Sequence, residues 1–224
     1  MKPAQTVRNA VLASRTAVAS LRGAARTSGK AGRFTLGLVS GRPVHCIVQV
    51  SNRCNLSCGF CSFWENPAHR DHGLTTEDFA TIANKLAEAG SLIVSLEGGE
   101  PLLRNDIFDI VESFARHHHP ILFTNGWRVT EDRARRLWDA GLDSIGISID
   151  YADAEVHDAH RGKEGTFEAA RRAAKILRAT APSGARQVLL MSVVMRDNHP
   201  SLPRLPQVSK APGVGPQATQ PPPQ

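Results

Sequence analysis

The chain has 224 residues, 41% of them hydrophobic, enough for one buried core of ordinary size or two small ones. Its formal net charge is +6 with a pI near 9.5, but the excess sits at one end: residues 1–64 hold nine Lys or Arg and no Asp or Glu. A nucleic-acid-binding body is therefore not favoured, no run of 18 apolar residues marks a membrane span, and four cysteines, three of them clustered, exclude a secreted disulfide framework and point to a reducing, cytoplasmic compartment.

In the basic segment 1–42, Val7, Val11, Val18 and Leu21 recur at helical spacing, so an amphipathic helix is expected from about Gln5 to Ala25. Three readings of it stay open: a helix packed beside the following domain, a transit peptide, or a helix lying on a membrane surface. Residues 43–198 then alternate between strand and helix. Strands are expected at 44–51, 91–97, 120–125, 143–150 and 186–194, and helices at 75–90, 105–117, 130–140 and 166–179. Unbroken alternation of this kind implies right-handed crossovers and a parallel α/β sheet, open or curled into a barrel. Functional residues in such sheets collect at the carboxyl ends of the strands. Residues 199–224 hold eight of the fourteen prolines and no acidic residue, and are expected to form a disordered tail.

Cys54, Cys58 and Cys61 follow directly on the first strand, in "SNRCNLSCGFCSFWEN". A structural zinc site needs four ligands, so zinc would require His69 or His72 as the fourth. Three thiolates that leave one metal position open describe instead a reactive site, where that position takes a substrate or cosubstrate.

The C-x3-C-x2-C spacing, with aromatic Phe60 just before the third cysteine, resembles the signature of the radical S-adenosylmethionine (radical SAM) superfamily. Further matches follow in order: "GGEPLL" (98–103) ends the second strand, "TNG" (124–126) the third and "SID" (148–150) the fourth. "VHDAHRGKEGTFEAA" (156–170) resembles a stretch common after the fourth strand in peptide-modifying and cofactor-building members. The resemblance covers about residues 44 to 198 and implies a partial (β/α) barrel. It implies that Cys54, Cys58 and Cys61 hold three irons of a [4Fe–4S] cluster, with S-adenosylmethionine chelating the fourth.

By the same resemblance, Gly98, Gly99, Glu100 and Pro101 meet the methionine amino group, and Ser148 and Asp150 contact ribose or methionine. Phe60 lies near the adenine, Thr124 meets cosubstrate or substrate, and Arg161 offsets the methionine carboxylate. Strand alternation independently places Gly146, Ser148 and Asp150 on one face and Ile145, Ile147 and Ile149 on the other. The implied chemistry is reductive cleavage of S-adenosylmethionine to a 5′-deoxyadenosyl radical, which takes a hydrogen atom from a peptide or small-molecule substrate. The implied partner is a one-electron reductant such as a flavodoxin or ferredoxin.

Several residues have plainer readings. Cys46 shares a face with Val44, Val48 and Val50 and is read as a small buried apolar residue. The "HHH" tract at 117–119 falls at the end of the sheet opposite the cysteines. Glu100 also reads as a loop carboxylate, Asp150 as a local cap and Trp64 as a packing residue. The family core has six strand–helix units, and only five strands are recognisable here. The expectation is a barrel truncated before its sixth strand, without the C-terminal domain that carries auxiliary clusters in many members, since no cysteine follows Cys61. An inactive cluster-binding fragment and a zinc-binding structural protein stand as alternatives.

Overall fold

The computed structural model describes residues 37, 39–65, 73–182, 186–208 and 214–219. The expected N-terminal helix and both candidate zinc histidines, His69 and His72, lie outside them. The strands and helices read from the sequence are present: β1 (His45–Ser51), α1 (Thr76–Ala89), β2 (Ile93–Gly98), α2 (Ile107–Ala115), β3 (His119–Thr124), α3 (Glu131–Asp139), β4 (Ser144–Ser148), α4 (Ala154–Arg161), α5 (Thr166–Thr180) and β5 (Gln187–Val193), with α4 one helix more than expected. Helix starts are set by side chains that accept orphan N–H groups. Thr75 opens α1 in a capping box with Asp78, Thr130 opens α3 and Asp153 opens α4.

With a sixth strand, β6 (Val214–Thr219), all strands are parallel and follow one another in the order β1-β2-β3-β4-β5-β6. Every crossover therefore steps one strand in the same direction, and right-handed connections put every helix on one face. Helices on one side only curl the sheet, leaving the other side as the barrel interior. The apolar residues sort accordingly. Val48, Val50, Val94, Leu96, Leu122, Ile145, Ile147 and Leu190 are buried with Phe79, Phe114, Leu137 and Phe167 of the helices in one core. Alternate residues such as Ile47, Glu97, Phe123, Ser148 and Met191 face the interior. Among the described residues the sheet does not close. At its β1 edge Ile47 remains 58% exposed.

β4 shows how the interior is filled. A Cβ on Gly146 would lie 2.5 Å from the Phe123 ring and 2.6 Å from the Met191 side chain, so glycine yields its volume to the two larger neighbours. Its partners Ile145 and Ile147 are fully buried on the helix side.

The chain beyond β5 departs from expectation. Instead of a tail without regular structure, it forms a 3-10 turn (His199–Arg204), a short helix α6 (Leu205–Val208) and a sixth strand, β6 (Val214–Thr219). β6 pairs with β5 from Val188↔Val214 to Val193↔Thr219, and Leu205 joins the core at 4% exposure. Proline density misled because position matters more than count. Pro200 enters in the first turn of the 3-10 segment, where a missing N–H costs little. Pro216 lies in an edge strand, which needs donors on one side only. Asn198 fastens the turn: its Nδ2 donates to Val193 O and Asp150 O, and its Oδ1 accepts from Met195 N.

Gly146→Ala is expected to force Phe123 or Met191 off its rotamer and to lower stability by about 1–3 kcal/mol. Urea unfolding of the two proteins measures the difference.

Candidate functional site

The loop leaving β1 carries the three thiols, and the end of β2 holds it in place. Beyond the last β1–β2 ladder bond the pairing continues irregularly: Gly99 N donates to Ser51 O and Glu100 N to Arg53 O, both at 2.7 Å. A Cβ at Gly98 would sit 2.2 Å from Ser51 O, and one at Gly99 2.2 Å from Arg53 O. Gly98 also has φ +124°, a region that side chains rarely adopt. The two glycines thus let the end of β2 approach the backbone of the cysteine loop.

Glu100 is 1% exposed, and its carboxylate is fully engaged. Oε1 accepts from Leu102 N and from the Thr124 hydroxyl, and Oε2 accepts from Asn125 N. Burial pushes its pKa up, while the three donors oppose that rise. Thr124 shares the helix-facing side of β3 with Leu122 and is 2% exposed. Its hydroxyl joins Glu100 to Gly126 N. These two residues thus tie the end of β2 to the end of β3, and Pro101, buried, starts the 3-10 turn between them. Asn125 extends the tie to the cysteine loop, donating from Nδ2 to Asn55 Oδ1 at 2.9 Å. Asn125 belongs to the "TNG" motif, but its pairing with Asn55 was not foreseen, because a contact across 70 positions leaves no local pattern.

The end of β4 and the end of α4 meet the other side of the loop. Ser148 is half-buried on the inner face. Asp150 is completely buried: Oδ1 accepts from Val193 N, and Oδ2 pairs with Arg161 Nη2 at 2.6 Å. Arg161, 7% exposed, also directs Nη1 at Cys58 Sγ, 4.0 Å away, and lies over the Phe60 ring with 5.3 Å from Cζ to the centroid. Backbone contacts complete the seat: Gly59 N donates to His160 O, and the Ser57 hydroxyl to Gly162 O. Trp64 Nε1 donates to Cys58 O, so this residue clamps the loop while remaining 42% exposed.

All three cysteines of the loop are free thiols. Burial raises the pKa of Cys54 and Cys58; for Cys58 the Arg161 guanidinium is the main opposing influence. Among the described residues no three His, Cys, Asp or Glu side chains converge where a single metal ion could sit. His157, fully buried with its ring edge-on to Phe167, accepts from Asp150 N through Nδ1. Burial holds it neutral, with a pKa lowered to about 4. Glu97, inward-facing beside Gly98, is half-buried and its pKa is raised by burial. It was not foreseen as a site residue.

The other chemically suggestive residues are structural. His118 is buried with Nδ1 near Ser91 O and Nε2 near Ala83 O, and His119 pairs with Asp143 at 2.7 Å. Both lie at the amino end of β3, away from the thiols. Cys46 is half-buried against the helix-side core.

The arrangement is therefore a thiol-bearing loop at the carboxyl end of a parallel sheet, seated by glycines of β2, by Asn125 after β3 and by the residues that follow β4. Residues 48–200 match the model of the radical SAM superfamily, and the chain belongs to that family. It is 36% identical over 129 residues to the PqqA peptide cyclase of Methylocella silvestris, covering 56% of this chain and 34% of that protein. It is 34% identical over 158 residues to the mycofactocin maturase MftC of Mycolicibacterium smegmatis, covering 70% and 39%. The chain thus spans little more than a third of the length of these relatives. In fold it is similar to SuiB of Streptococcus suis, solved with S-adenosylmethionine bound, with a TM-score of 0.65 at 16% identity over 82% of this chain and 42% of that one. Members of the family use a [4Fe–4S] cluster and S-adenosylmethionine.

Glu100→Gln places an amide NH2 among N–H and O–H donors. It is expected to cost about 1–3 kcal/mol and to loosen the cysteine loop, read by urea unfolding and by faster amide hydrogen exchange at residues 51–55. The His157 pKa gives a second expectation. A depressed histidine contributes stability that is complete above its ordinary value near 6.5 and is lost as pH falls toward about 4. The loss is on the order of 3 kcal/mol, and urea midpoints between pH 7 and 4 will show it shrink in His157→Gln.

Proposed function

We propose that this chain carries the cluster-binding and S-adenosylmethionine-binding core of a radical SAM enzyme, with Cys54, Cys58 and Cys61 as the cluster ligands. The observation that carries the reading is the seating of a three-thiol loop against the ends of β2, β3 and β4, with a buried guanidinium directed at one of the thiols. Three free thiols on one loop suit a cluster whose irons each take one thiolate, with one iron left for S-adenosylmethionine. When bound, the cluster supplies one electron for cleaving S-adenosylmethionine to a 5′-deoxyadenosyl radical, which abstracts a hydrogen atom from substrate.

The chain's own residues bind, orient and exclude water. With the Glu100 carboxylate committed to Leu102, Thr124 and Asn125, the acceptors for the methionine amine are the backbone carbonyls of the Gly98–Gly99 segment. Ser148 is a hydroxyl partner for ribose or carboxylate, and Phe60 offers a ring edge to the adenine. Arg161 stays within reach of a carboxylate through Nε, a buried donor with no hydrogen-bond partner among the described residues. Glu100, Thr124 and Asp150 act by positioning the loop and Arg161. A peptide substrate is supported by the relationship to a peptide cyclase and a maturase, and the open β1 edge offers an extended chain a way in. The electron donor is a small one-electron carrier such as a flavodoxin or ferredoxin.

Anaerobic reconstitution with iron and sulfide tests the reading. The protein is expected to take up four irons per chain, to lose that capacity when Cys54, Cys58 or Cys61 is replaced by Ala, and to release 5′-deoxyadenosine on reduction with S-adenosylmethionine present. Retention of zinc with no iron uptake would reject it, and iron uptake without cleavage would reduce it to cluster binding alone.

A further inference from the structure

The Asp150–Arg161 pair is the most deeply buried charge pair beside the cysteine loop, and its geometry is over-determined. Asp150 Oδ1 is held by Val193 N at 2.9 Å, its backbone N–H donates to His157 Nδ1, and its carbonyl accepts from Asn198 Nδ2. Arg161 is the last residue of α4, whose end is fastened to the loop through His160 O and Gly162 O. The guanidinium is therefore fixed in a slot bounded by the Asp150 carboxylate, the Phe60 face and Cys58 Sγ. Cys58 is itself 6% exposed, so water screens little of what passes between the two side chains.

From this we infer that Arg161 is a positioning residue that sets the reduction potential of the cluster through an N–H···S contact to the Cys58 thiolate, with Asp150 fixing its aim and offsetting its charge. The inference rests on the reading of the three cysteines as cluster ligands. Its physical basis is general. Hydrogen bonds to ligating sulfurs and nearby positive charge stabilise the more negative, reduced state of an iron–sulfur cluster, and burial magnifies both. A carboxylate behind the guanidinium works in the opposite direction. It draws donor density toward itself and cancels part of the charge, so the pair holds the potential between two extremes. Contact with the methionine carboxylate, assigned to Arg161 above, uses a different nitrogen and operates only with cosubstrate present.

The test is a redox titration of the reconstituted full chain without S-adenosylmethionine, following the electron paramagnetic resonance signal of the reduced cluster. Arg161→Met is expected to lower the midpoint potential, cutting the reduced-to-oxidised ratio at a fixed applied potential about tenfold, or about 59 mV for one electron. Asp150→Asn, which keeps the arginine and removes the opposing charge, is expected to raise it. Arg161→Lys retains charge without the planar fork and is expected to fall between wild type and Arg161→Met. Opposite shifts at matched iron and sulfide content are a signature that a merely structural role would not produce. Unchanged potentials, or shifts of the same sign in Arg161→Met and Asp150→Asn, would overturn the inference. Should Arg161→Met fail to take up the cluster, the upward shift in Asp150→Asn and the downward one in Arg161→Lys decide the matter. Wild-type protein that takes up no iron fails the underlying reading instead, and does so before any variant is compared.

Discussion

The site depends on a close approach between two stretches of backbone. Gly98 and Gly99 lie so near Ser51 and Arg53 that no side chain fits between them, with a Cβ at either glycine falling 2.2 Å from a carbonyl oxygen. Two hydrogen bonds of 2.7 Å replace the missing side chains and extend the β1–β2 pairing into the first residues of the cysteine loop. A loop of this length would otherwise pay the full entropic cost of being held in one conformation. Sharing the sheet's own ladder bonds lowers that cost, and it directs Cys54 from a rigid element rather than from a free segment.

Around this contact the chain builds a ring of short ties instead of one strong interaction. Glu100 and Thr124 join the ends of β2 and β3, Asn55 and Asn125 join the loop to β3, and Arg161 joins it to Asp150. Most of these polar groups are buried, where an unmade bond costs more than a made one contributes. The site is therefore rigid because alternatives are expensive. The same reasoning accounts for the neutral His157 imidazole under Asp150, which accepts a backbone N–H and needs no charge to do so.

Much of this was legible in the sequence, and what was not has a physical reason. Alternation of apolar residues revealed the strands and helices, because each buries one face against a common core. The motifs at 54–61, 98–101 and 148–150 could be placed at strand ends because strand boundaries are local. Side-chain direction at those ends is not local. Thr124 looked available to a ligand, yet it shares the Leu122 face and spends its hydroxyl on Glu100. Asn55 and Asn198 gave no signal, and the "TNG" motif did not reveal what Asn125 holds, since their partners lie in other strands or loops. β6 was hidden by its prolines, whose cost depends on whether the strand is central or at an edge.

The span of the contacts that seat the loop carries a consequence for the order in which the molecule is made. Ser57 and Gly59 belong to an early part of the core, while their partners Gly162 and His160 emerge roughly a hundred residues later. Asp150, which fixes Arg161, in turn leans on Val193 and Asn198, later still. On the ribosome the thiol-bearing loop is thus among the first parts of the sheet to appear, while some of its ties wait for residues that follow β4 and β5. The seat around Cys58 and Arg161 is therefore complete only once Asn198, past the end of β5, has been added to the chain.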